Sequence, residues 1–380
     1  MRFSELGIQS DLETALSKAD ITEPTEIQVA ATSPLLEGEN VYICSPTGTG
    51  KTLAYLLPLL SKINPSSDLL QLIVLVPTHE LAIQVQEQVK ELALNSGLSI
   101  RSQVLIGGVS IQRQRDKLKK KPHLVIGSPG RILDLIQGRK LKVHNLNSIV
   151  LDEVDRLLFG ETLESTRKII RSTLKGRQLV FVSATVRNES AQVAEELAPE
   201  LRHIHTQTNR VTKNIRHLYF VAEQRDKPDL LRKLIHAFQP ERAIVFLHRN
   251  ENADLITAKL NHHKQSAAQI HSARDKVARQ KVLRMFRSGQ VQVLISSDIS
   301  ARGLDVKGVT HIFNLDIPAQ SMDYLHRVGR TGRAGALGVA VSILTDQELR
   351  FVERYSRELH ITMTPAHLKY GKVIFENSPD

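Results

Sequence analysis

The sequence predicts an α/β protein of two similar domains, each with a mainly parallel sheet that has helices on both faces. Three observations support this prediction. The chain has 380 residues, and at roughly 150 residues per domain that length suggests two or three domains. Short apolar runs alternate with amphipathic stretches along both halves, which is typical of βαβ units and a parallel sheet. A polar region at 203–214 lacks periodicity and separates the two halves.

In the first half, the apolar runs predict strands, and the stretch 79–94 predicts a helix. Leu81, Val85, Val89 and Leu92 recur on one face of that helix. A second helical run, 53–60, follows the first strand. The strands of this half are predicted at 41–45, 72–76, 101–106, 123–127, 147–152 and 178–182.

The second half repeats the same alternation, so it predicts a second domain of the same class. Its strands are predicted at 216–222, 242–247, 267–270, 291–295, 310–313 and 337–344. Helical runs at 226–237, 250–262, 275–287 and 320–327 separate them. We therefore expect a first domain at 1–205, a short linker at 206–214 and a second domain at 215–380, without an appended third domain.

Composition narrows the class of protein. Hydrophobic residues make up 41% and charged residues 24% of the chain, which are globular values. The 51 Lys and Arg against 40 Asp and Glu give a net charge of +11, which favours a polyanionic partner. Cys44 is the single cysteine, so a disulfide framework or a thiolate metal site is excluded. Neither a signal peptide at 1–10 nor an apolar stretch of membrane-spanning length is visible, so we expect a soluble, cytoplasmic protein.

The segment 45–52, Ser-Pro-Thr-Gly-Thr-Gly-Lys-Thr, lies between the first predicted strand and a helical run. A glycine-rich turn of this kind directs backbone N–H groups and a helix N-terminus at one point, which favours polyphosphate. The pattern assigns Lys51 to the β- and γ-phosphates and the Thr52 hydroxyl to Mg²⁺. It begins with Ser where the general pattern has Gly. The candidate nucleotide-binding residues of the loop are Ser45, Thr47, Gly48, Thr49, Gly50, Lys51 and Thr52.

Three carboxylates follow the predicted strand 147–152 and are expected beside this loop, at the carboxyl end of the sheet. Asp152 is a candidate Mg²⁺ ligand, and Glu153 is the candidate group that orients and deprotonates an attacking water. Lys51, Asp152 and Glu153 are therefore candidate catalytic residues, since phosphoryl transfer depends on placement and charge neutralisation.

The sequence Asp-Glu-Val-Asp at 152–155 resembles the Asp-Glu-Ala-Asp signature of the DEAD-box RNA helicases, and further motifs extend the resemblance over nearly the whole chain. The chain is most similar to the short bacterial type, a helicase core without a C-terminal RNA-binding extension. The resemblance implies two tandem RecA-like domains, ATP and Mg²⁺ as cofactors, RNA as partner and a monomer. Val154 departs from the family's Ala, and we expect local repacking there without loss of activity.

Phe3 and the segment 24–28, Pro-Thr-Glu-Ile-Gln, resemble the family's Q motif. The resemblance implies that Gln28 contacts the edge of adenine and that Phe3 packs on its ring. A glutamine amide both donates and accepts, so it matches the N6/N7 edge of adenine.

Several short segments resemble the family's RNA-contacting motifs. In Pro77-Thr-His-Glu-Leu-Ala82 the third position has His79 instead of the usual Arg, which puts the role of that Arg in doubt. The glycines allow RNA phosphates to approach the backbone, and Arg131 can anchor a phosphate. The implied RNA-binding residues of the first domain are Pro77, Gly107, Gly108, Ser128 and Arg131.

The triplet Ser183-Ala-Thr185 follows the strand 178–182 and resembles the motif that couples the ATP site to strand separation. Asp155 is the expected acceptor for its hydroxyls. His326 is implied to bridge the domains.

The second domain carries the remaining motifs of the family. Arg330 and Arg333, in the segment 326–333, resemble arginine fingers, which stabilise transition-state charge on phosphate. In the segment 297–305, the resemblance assigns Ser297 to RNA phosphate and Asp305 to the ATP ribose. The segment 244–249 stands where a further motif belongs. In another RNA-contacting region, His271 and Arg279 match, whereas Lys276 replaces a Gln.

These residues together predict RNA-stimulated ATP hydrolysis that closes a cleft, bends RNA and unwinds short duplexes. One alternative is an ATP-gated RNA clamp or assembly scaffold in which unwinding is incidental. A duplex DNA translocase is a further alternative, which Gln28 and the Ser183-Ala-Thr185 triplet disfavour. A plain nucleotide-binding regulator is another, which the paired arginines disfavour. The lysines at 117–121 are interpreted as a solvated helix face, with a peripheral RNA contact as the alternative. The resemblance suggests ribosome assembly, RNA decay or growth in the cold as the setting.

Overall fold

The computed structural model describes residues 2–46, 48–184, 188–206, 214–248, 252–270, 276–297, 306, 308–332 and 336–375. The chain divides into two compact units, Met1–Gln207 and Thr208–Asp380. Both belong to the α/β class that the sequence predicts, and each is described separately below.

Unit 1, Met1–Gln207, is built on a sheet whose strands are all parallel. Within the described residues the sheet has seven strands in the order β3-β4-β2-β5-β6-β1-β7. Their bounds are β1 Val41–Cys44, β2 Leu72–Leu75, β3 Ser102–Leu105, β4 Leu124–Gly127, β5 Ser148–Asp152, β6 Gln178–Ser183 and β7 Arg202–His205. Six of these strands coincide with the sequence prediction to within about two residues, because short runs of buried apolar residues are a strong signal.

Helices cover both faces of this sheet, since successive residues of a strand point to opposite sides. Val41 and Ile43 of β1 enter one core cluster, whereas Tyr42 and Cys44 enter another. The first cluster contains residues of α1 Ser10–Ser17, α2 Glu26–Glu37, α3 Lys51–Ser61 and α4 His79–Ser96. The second contains residues of α6 Pro129–Gln137, α7 Val154–Leu157, α8 Glu161–Arg171 and α9 Asn188–Leu197. A short helix, α5 Ile111–Leu118, follows β3, and a 3₁₀ turn at Ser4–Leu6 precedes α1.

The predicted helix at 79–94 is confirmed as α4, and its four predicted apolar residues are buried. Thr78 caps its first turn, because the Thr78 Oγ1 accepts a hydrogen bond from the Leu81 N–H at 3.2 Å. Gly97, with a φ of 74°, ends the helix in the left-handed conformation that favours glycine.

Strand β7 corrects the sequence analysis, which treated 203–214 as an aperiodic polar region. Residues Arg202–His205 pair in parallel with β1 at the edge of the sheet. Only Ile204 of the four is buried, because an edge strand keeps much of its surface in water. The strand therefore lacks the apolar run on which the prediction depended.

Unit 2 carries a second, mainly parallel sheet. Within the described residues it has eight strands in the order β10-β11-β9-β12-β13-β8-β14-β15, of which only β15 is antiparallel to its neighbour. The bounds are β8 Ile215–Val221, β9 Ala243–Leu247, β10 Ala267–Ile270, β11 Val293–Ser297, β12 His311–Asn314, β13 Gly338–Leu344, β14 Met363–Lys369 and β15 Lys372–Phe375. The first six were predicted, whereas β14 and β15 were missed.

The helices of unit 2 also lie on both faces of the sheet. One core cluster joins β9 and β11 to α10 Lys227–Phe238 and α11 Ala253–His262. The opposite face packs against α12 Lys276–Arg287 in one cluster. A further cluster holds α13 Ser321–Val328 and α14 Arg350–Leu359, which follows a 3₁₀ turn at Asp346–Glu348. The four predicted helices of this half correspond to α10, α11, α12 and α13. No helix within the described ranges is long and apolar enough to cross a membrane.

Candidate nucleotide site and RNA-facing edge

The glycine-rich loop connects β1 to α3 at the carboxyl end of the unit 1 sheet. Gly48 and Gly50 have φ values of 87° and 88°, which side chains other than glycine rarely adopt. A Cβ atom at Gly50 would lie 2.5 Å from Gln28 Nε2, so any other residue there would displace the Gln28 amide. The loop is held by the Ser45 hydroxyl, which donates to Thr49 Oγ1 at 2.8 Å.

Lys51 begins α3 and turns its ammonium back over the loop. Lys51 Nζ donates to the carbonyl oxygens of Ser45 at 2.5 Å and Pro46 at 2.6 Å. Burial lowers the pKa of Lys51 to about 8, although the Asp152 carboxylate acts in the opposite direction. Phosphate oxygens carry more negative charge than carbonyl oxygens. The charged form of this ammonium is therefore stabilised further when phosphate oxygens replace its two carbonyl partners.

Gln28 joins the start of α2 to the loop. Its Oε1 accepts from the Thr25 N–H at 2.9 Å, and its Nε2 donates to the Gly50 carbonyl oxygen at 3.2 Å. Thr25 Oγ1 donates to the Thr49 carbonyl oxygen at 2.8 Å. An amide has two donor hydrogens and two acceptor lone pairs, and side-chain bonds to the described residues engage one of each on Gln28. Phe3, the other predicted adenine contact, lies in the hydrophobic core of unit 1.

Asp152 ends β5 beside the loop and is 6% exposed. The Tyr55 hydroxyl donates to Asp152 Oδ2 at 2.9 Å, and the Glu153 N–H donates to Oδ1 at 2.9 Å. Burial, followed by the Glu153 charge, raises the pKa of Asp152 to about 6. A buried carboxylate with this shift is stabilised by a bound cation. Thr52, half-buried one residue after Lys51, is the other predicted Mg²⁺ ligand.

Glu153 adopts a left-handed conformation with a φ of 56°, which costs about 1–2 kcal/mol for a residue with a side chain. Arg156 Nη1 contacts Glu153 Oε2 at 3.0 Å, and the Glu153 side chain stays 29% exposed. The carboxylate is therefore oriented by a cation and open to solvent, which is compatible with the predicted role of positioning water.

The predicted coupling residues Asp155 and Ser183 are brought together. Both are buried, and Ser183 Oγ donates to Asp155 Oδ1 at 3.4 Å. Ser183 ends β6, and its carbonyl oxygen accepts from the Ser45 N–H at 3.2 Å. The end of β6 thus contacts both the start of the phosphate loop and the carboxylates after β5.

The predicted RNA-binding residues of unit 1 lie at the carboxyl ends of β2, β3 and β4. Pro77 follows β2, and Ser128 follows β4 and begins α6. Close approach of β3 and β4 requires Gly127, where a Cβ atom would lie 1.9 Å from the Leu105 carbonyl oxygen. Parallel strands end at the same edge, so these motifs share one edge of the sheet.

The loop after β3 is held on two sides. Arg131 Nη1 donates to the Val109 carbonyl oxygen at 3.0 Å. Gln114 is 3% exposed, and its amide accepts from the Ile106 N–H and donates to the Ile106 carbonyl oxygen. Gly107 and Gly108 lie between these anchors, and His79 Nε2 lies 3.8 Å from the Cβ position of Gly107.

In unit 2, the described candidate residues belong to three elements. Ser297 is buried at the end of β11, and Arg279 is half-buried on α12. His326 is half-buried on α13, and Arg330 is half-buried just after that helix. Thr47, Thr185, Arg249, His271, Asp305, Arg333 and the Lys276 side chain lie outside the described residues.

Comparison with known proteins agrees with this geometry. The model of the DEAD/DEAH box helicase family matches residues 25–193, and that of the helicase conserved C-terminal domain matches residues 226–335. The DEAD-box ATP-dependent RNA helicase CshC of Bacillus cereus is 41% identical over 97% of this chain and 94% of its own length. The probable ATP-dependent RNA helicase YfmL of Bacillus subtilis is 36% identical over 96% of each.

The chain belongs to the DEAD-box RNA helicase family. We therefore assign it to the helicase class of ATP-hydrolysing enzymes. S. cerevisiae Dbp5, in a structure bound to RNA and ADP BeF3, is similar with a TM-score of 0.88 and 29% identity. That similarity covers 96% of this chain and 95% of Dbp5. The two units are thus RecA-like domains, as the resemblance implied.

Several residues at this DEAD-box site were not found by sequence reasoning. Arg156 lies three residues after Glu153, and this helical spacing was an available signal. Tyr55 lies three residues after Thr52, again one turn along a helix. Gln114 and Thr206, whose hydroxyl lies 2.9 Å from Ser45 Oγ, depend on contacts across the fold that no local pattern reveals.

Proposed function

We propose that this protein hydrolyses ATP in response to RNA and uses that reaction to bend RNA and open short duplexes locally. The observation that carries this proposal is the connection between three groups at one sheet edge. Lys51 lies on the loop, Asp152 and Glu153 follow β5, and Ser183 contacts both the loop and Asp155. A change at the phosphates can therefore reach the end of β6.

ATP is the proposed substrate of the loop. Lys51 binds the β- and γ-phosphates in place of its two carbonyl partners, and the backbone of the loop residues surrounds the phosphates. The Gln28 amide, which can both donate and accept, selects adenine. Glu153, oriented by Arg156, positions water and accepts its proton.

Thr52 and Asp152 fit a magnesium ion, because a hydroxyl and a carboxylate are the hard oxygen ligands that it prefers. When bound, Mg²⁺ neutralises phosphate charge. Among the described residues no cluster of three or more His, Cys, Asp or Glu could hold a metal. Magnesium commonly takes one or two carboxylates together with substrate phosphates, so the small donor set is consistent with it.

Unit 2 supplies the proposed arginine fingers, Arg330 and Arg333, and the ribose contact Asp305. Neither unit holds all the predicted ATP contacts, so we infer that ATP and RNA together bring them into one closed cleft. Binding of the two ligands is then reciprocal, with each increasing affinity for the other. Thr185 and His326 complete the proposed coupling.

RNA is proposed to bind along Pro77, Gly107, Gly108, Ser128 and Arg131 of unit 1 and along Arg279 and Ser297 of unit 2. Contacts to sugar and phosphate give no base specificity, and contacts to the 2′-OH favour RNA over DNA. The proposed setting is the cytoplasm, where the protein acts as a monomer and remodels RNA. Ribosomal precursor particles are among its proposed targets. Crosslinking to cellular RNA followed by sequencing tests that setting.

The activity is tested by measuring ATP hydrolysis and displacement of a short RNA duplex, with RNA or DNA of one sequence added. We expect RNA to stimulate hydrolysis and DNA not to. Glu153→Gln should lower kcat by at least about 10²-fold, the contribution of a general base, and should retain ATP-dependent RNA binding. Glu164→Gln, an exposed glutamate on α8, is the matched control and should behave as the unaltered protein.

Equal stimulation by DNA, or the same rate of ATP hydrolysis with and without RNA, would contradict the proposal. If Glu153→Gln restored growth of a deletion strain, an ATP-gated clamp or scaffold would replace unwinding as the biological activity.

A further inference from the structure

A groove of about 520 Å³ lies along β3, at the edge of the unit 1 sheet. The facing surfaces of α4 and α5 form its two walls. Its lining includes Gln86 and Lys90 of α4, Gln103 of β3, and Arg113, Lys117 and Lys120 on or after α5. The groove is therefore lined by four cations and several amides, and the functional site described above does not use them.

The four cations of this groove are exposed, and within the described residues none has a carboxylate within ion-pair distance. Neighbouring lysines differ from them. Lys119 Nζ lies 2.9 Å from Asp116, and Lys121 Nζ lies 2.5 Å from Asp68. The lysine run thus separates into charges that are neutralised within the fold and charges that face the groove.

The spacing of the α5 cations suits a chain of phosphates. Arg113 and Lys117 are four residues apart on one helix face, which corresponds to about 6 Å along the axis. Lys120 continues the row in the turn after the helix, and Lys90 faces it from α4. A row of cations along a groove is the usual electrostatic signature of a site that follows a nucleic-acid backbone.

The base of the groove argues against a protein strand as occupant. An exposed edge strand normally offers its backbone to an added strand. Here Gln86 Nε2 donates to the Ser102 carbonyl oxygen at 3.3 Å, and Gln103 Nε2 donates to that of Val104 at 2.9 Å. Two acceptors of the edge are therefore already engaged, whereas the cations above them form no ion pair with a carboxylate of the described residues.

The groove is continuous with the proposed RNA edge. Val109, two residues after Gly107, lines the groove, and its carbonyl oxygen accepts from Arg131. Gln114 lines the groove too, and its bonds to Ile106 fix α5 against the Gly107–Gly108 loop. The loop that is proposed to contact RNA therefore lies beside the helix that carries Arg113 and Lys117.

We propose that this groove binds the phosphates of the RNA strand where it extends past Gly107 and Gly108, and so lengthens the RNA contact of the helicase core. The inference rests on the proposed function, since it assumes that RNA occupies the glycine loop. It assigns sequence-independent binding to Arg113, Lys117, Lys120 and Lys90.

The test compares two single-stranded RNAs. One is the shortest strand that stimulates ATP hydrolysis by the unaltered protein, and the other is that strand extended at both ends. The variant Arg113→Gln/Lys117→Gln/Lys120→Gln should bind the short strand within about twofold and the extended strand about tenfold more weakly. The slope of log K against log salt should fall by about 2 for the extended strand alone, at about 0.7 per phosphate contact in a single strand.

The matched control removes three charges elsewhere in unit 1. Lys140, Lys142 and Lys175 are exposed in the connections that precede β5 and β6, at the opposite end of the sheet. Lys140→Gln/Lys142→Gln/Lys175→Gln should bind both strands as the unaltered protein does. If the first variant has a lowered melting temperature, Lys117→Gln alone replaces it, with an expected slope change of about 0.7.

Equal weakening for both strands, or no weakening for either, would overturn the groove assignment. Unchanged RNA binding would leave an acidic peptide as the occupant to test. Failure of the unaltered protein to respond to any RNA would instead refute the proposed function, so the two failures are distinguishable.

Discussion

The two units share one architecture but differ in how they treat buried charge. In unit 1, burial lowers the pKa of Lys51 to about 8 and raises that of Asp152 to about 6. In unit 2, Arg327 is 2% exposed, and its Nη1 donates to Asn314 Oδ1 at 3.1 Å and to the Asp316 carbonyl oxygen at 2.6 Å. Its guanidinium also lies over the Phe246 ring at 5.0 Å.

A second buried cation of unit 2 behaves in the same way as Arg327. Lys227 Nζ lies 2.7 Å from Glu348 Oε2, and the lysine is 1% exposed. Burial alone would raise the pKa of Glu348, but the hydrogen bond from Lys227 and those from Thr345 hold it below its ordinary value. The fold therefore neutralises these charges itself.

The difference separates two uses of buried charge. A charge that the protein leaves only partly stabilised is available to a ligand, and such groups concentrate at functional sites. A charge that the protein satisfies fully serves the fold, and its removal leaves buried partners unpaired. Replacing Lys51 should therefore affect activity, whereas replacing Arg327 should affect stability.

The largest expected effect is the loss of turnover in Lys51→Ala. The variant lacks the ammonium that is proposed to bind the β- and γ-phosphates, so we expect RNA-stimulated ATP hydrolysis to fall at least about 10³-fold, or about 4 kcal/mol. Its free energy of unfolding should change by no more than about 1 kcal/mol, because relief of a desolvated charge offsets two lost hydrogen bonds. Steady-state hydrolysis and calorimetry measure the two quantities.

Lys62→Ala is the control for Lys51→Ala. Lys62 follows the other end of α3, and its Nζ also donates to a backbone carbonyl oxygen, that of Leu35, at 3.2 Å. Turnover by this variant should match the unaltered protein. A large loss of stability in Lys51→Ala would show that the lysine serves the fold and would remove the contrast between the units.

The next effect is the destabilisation of unit 2 by Arg327→Met. Methionine retains part of the packing on Phe246 but leaves Asn314 Oδ1 and the Asp316 carbonyl oxygen without this donor. We expect a loss of about 3 kcal/mol in the free energy of unfolding, or about 6–12 °C in the melting temperature of a unit of this size. Calorimetry of the full chain measures it.

Arg225→Met provides the comparison for Arg327→Met. The Arg225 side chain is 80% exposed, and it pairs with Glu223 at 2.9 Å. An exposed ion pair contributes at most about 1 kcal/mol, so this variant should melt within about 4 °C of the unaltered protein. If Arg327→Met and Arg225→Met had the same melting temperature, burial of Arg327 would not explain the contribution of this residue to stability.

Prediction from sequence succeeded where one local signal determines the structure. Buried apolar runs located the central strands, and the glycine-rich pattern placed Lys51 and Thr52 beside the carboxylates after β5. Two of the three missed strands, β7 and β15, lack that signal, since only Ile204 of β7 is buried and none of β15 is. Edge strands depend on backbone pairing with a neighbour, and pairing leaves little trace in a polar sequence.

The structural role of Arg327 was missed for a different reason. Arg327 stands within the motif that supplied Arg330 and Arg333, yet the motif does not show which arginine faces the core. Its partners are Asn314, which ends β12, and Asp316, two residues further along the chain. Side chains that act through partners distant in sequence become visible only when the fold brings them together.

The smallest expected effect concerns pH and also belongs to unit 2. Burial lowers the pKa of His217 to about 4 from an ordinary 6.5, and its Nδ1 lies 2.8 Å from the Tyr324 hydroxyl. Between pH 6.5 and 4 the unfolded chain binds a proton that the folded chain does not, so acidification favours unfolding. From pH 7 to 5 this residue alone should cost about 2 kcal/mol.

Burial also lowers the pKa of His311 to about 4, so this residue should contribute a similar loss of stability in acid. His217→Asn should therefore remove about half of the acid sensitivity that the two histidines confer. Unfolding measured across this pH range tests it, with the exposed His236 of α10 replaced by Asn as control. A profile as steep in His217→Asn as in the unaltered protein would contradict the assignment.

Asp152 should act in the opposite direction, because its raised pKa means that the folded state takes up a proton first as pH falls. Acid should therefore destabilise unit 2 through its buried histidines while it relieves the buried carboxylate of unit 1.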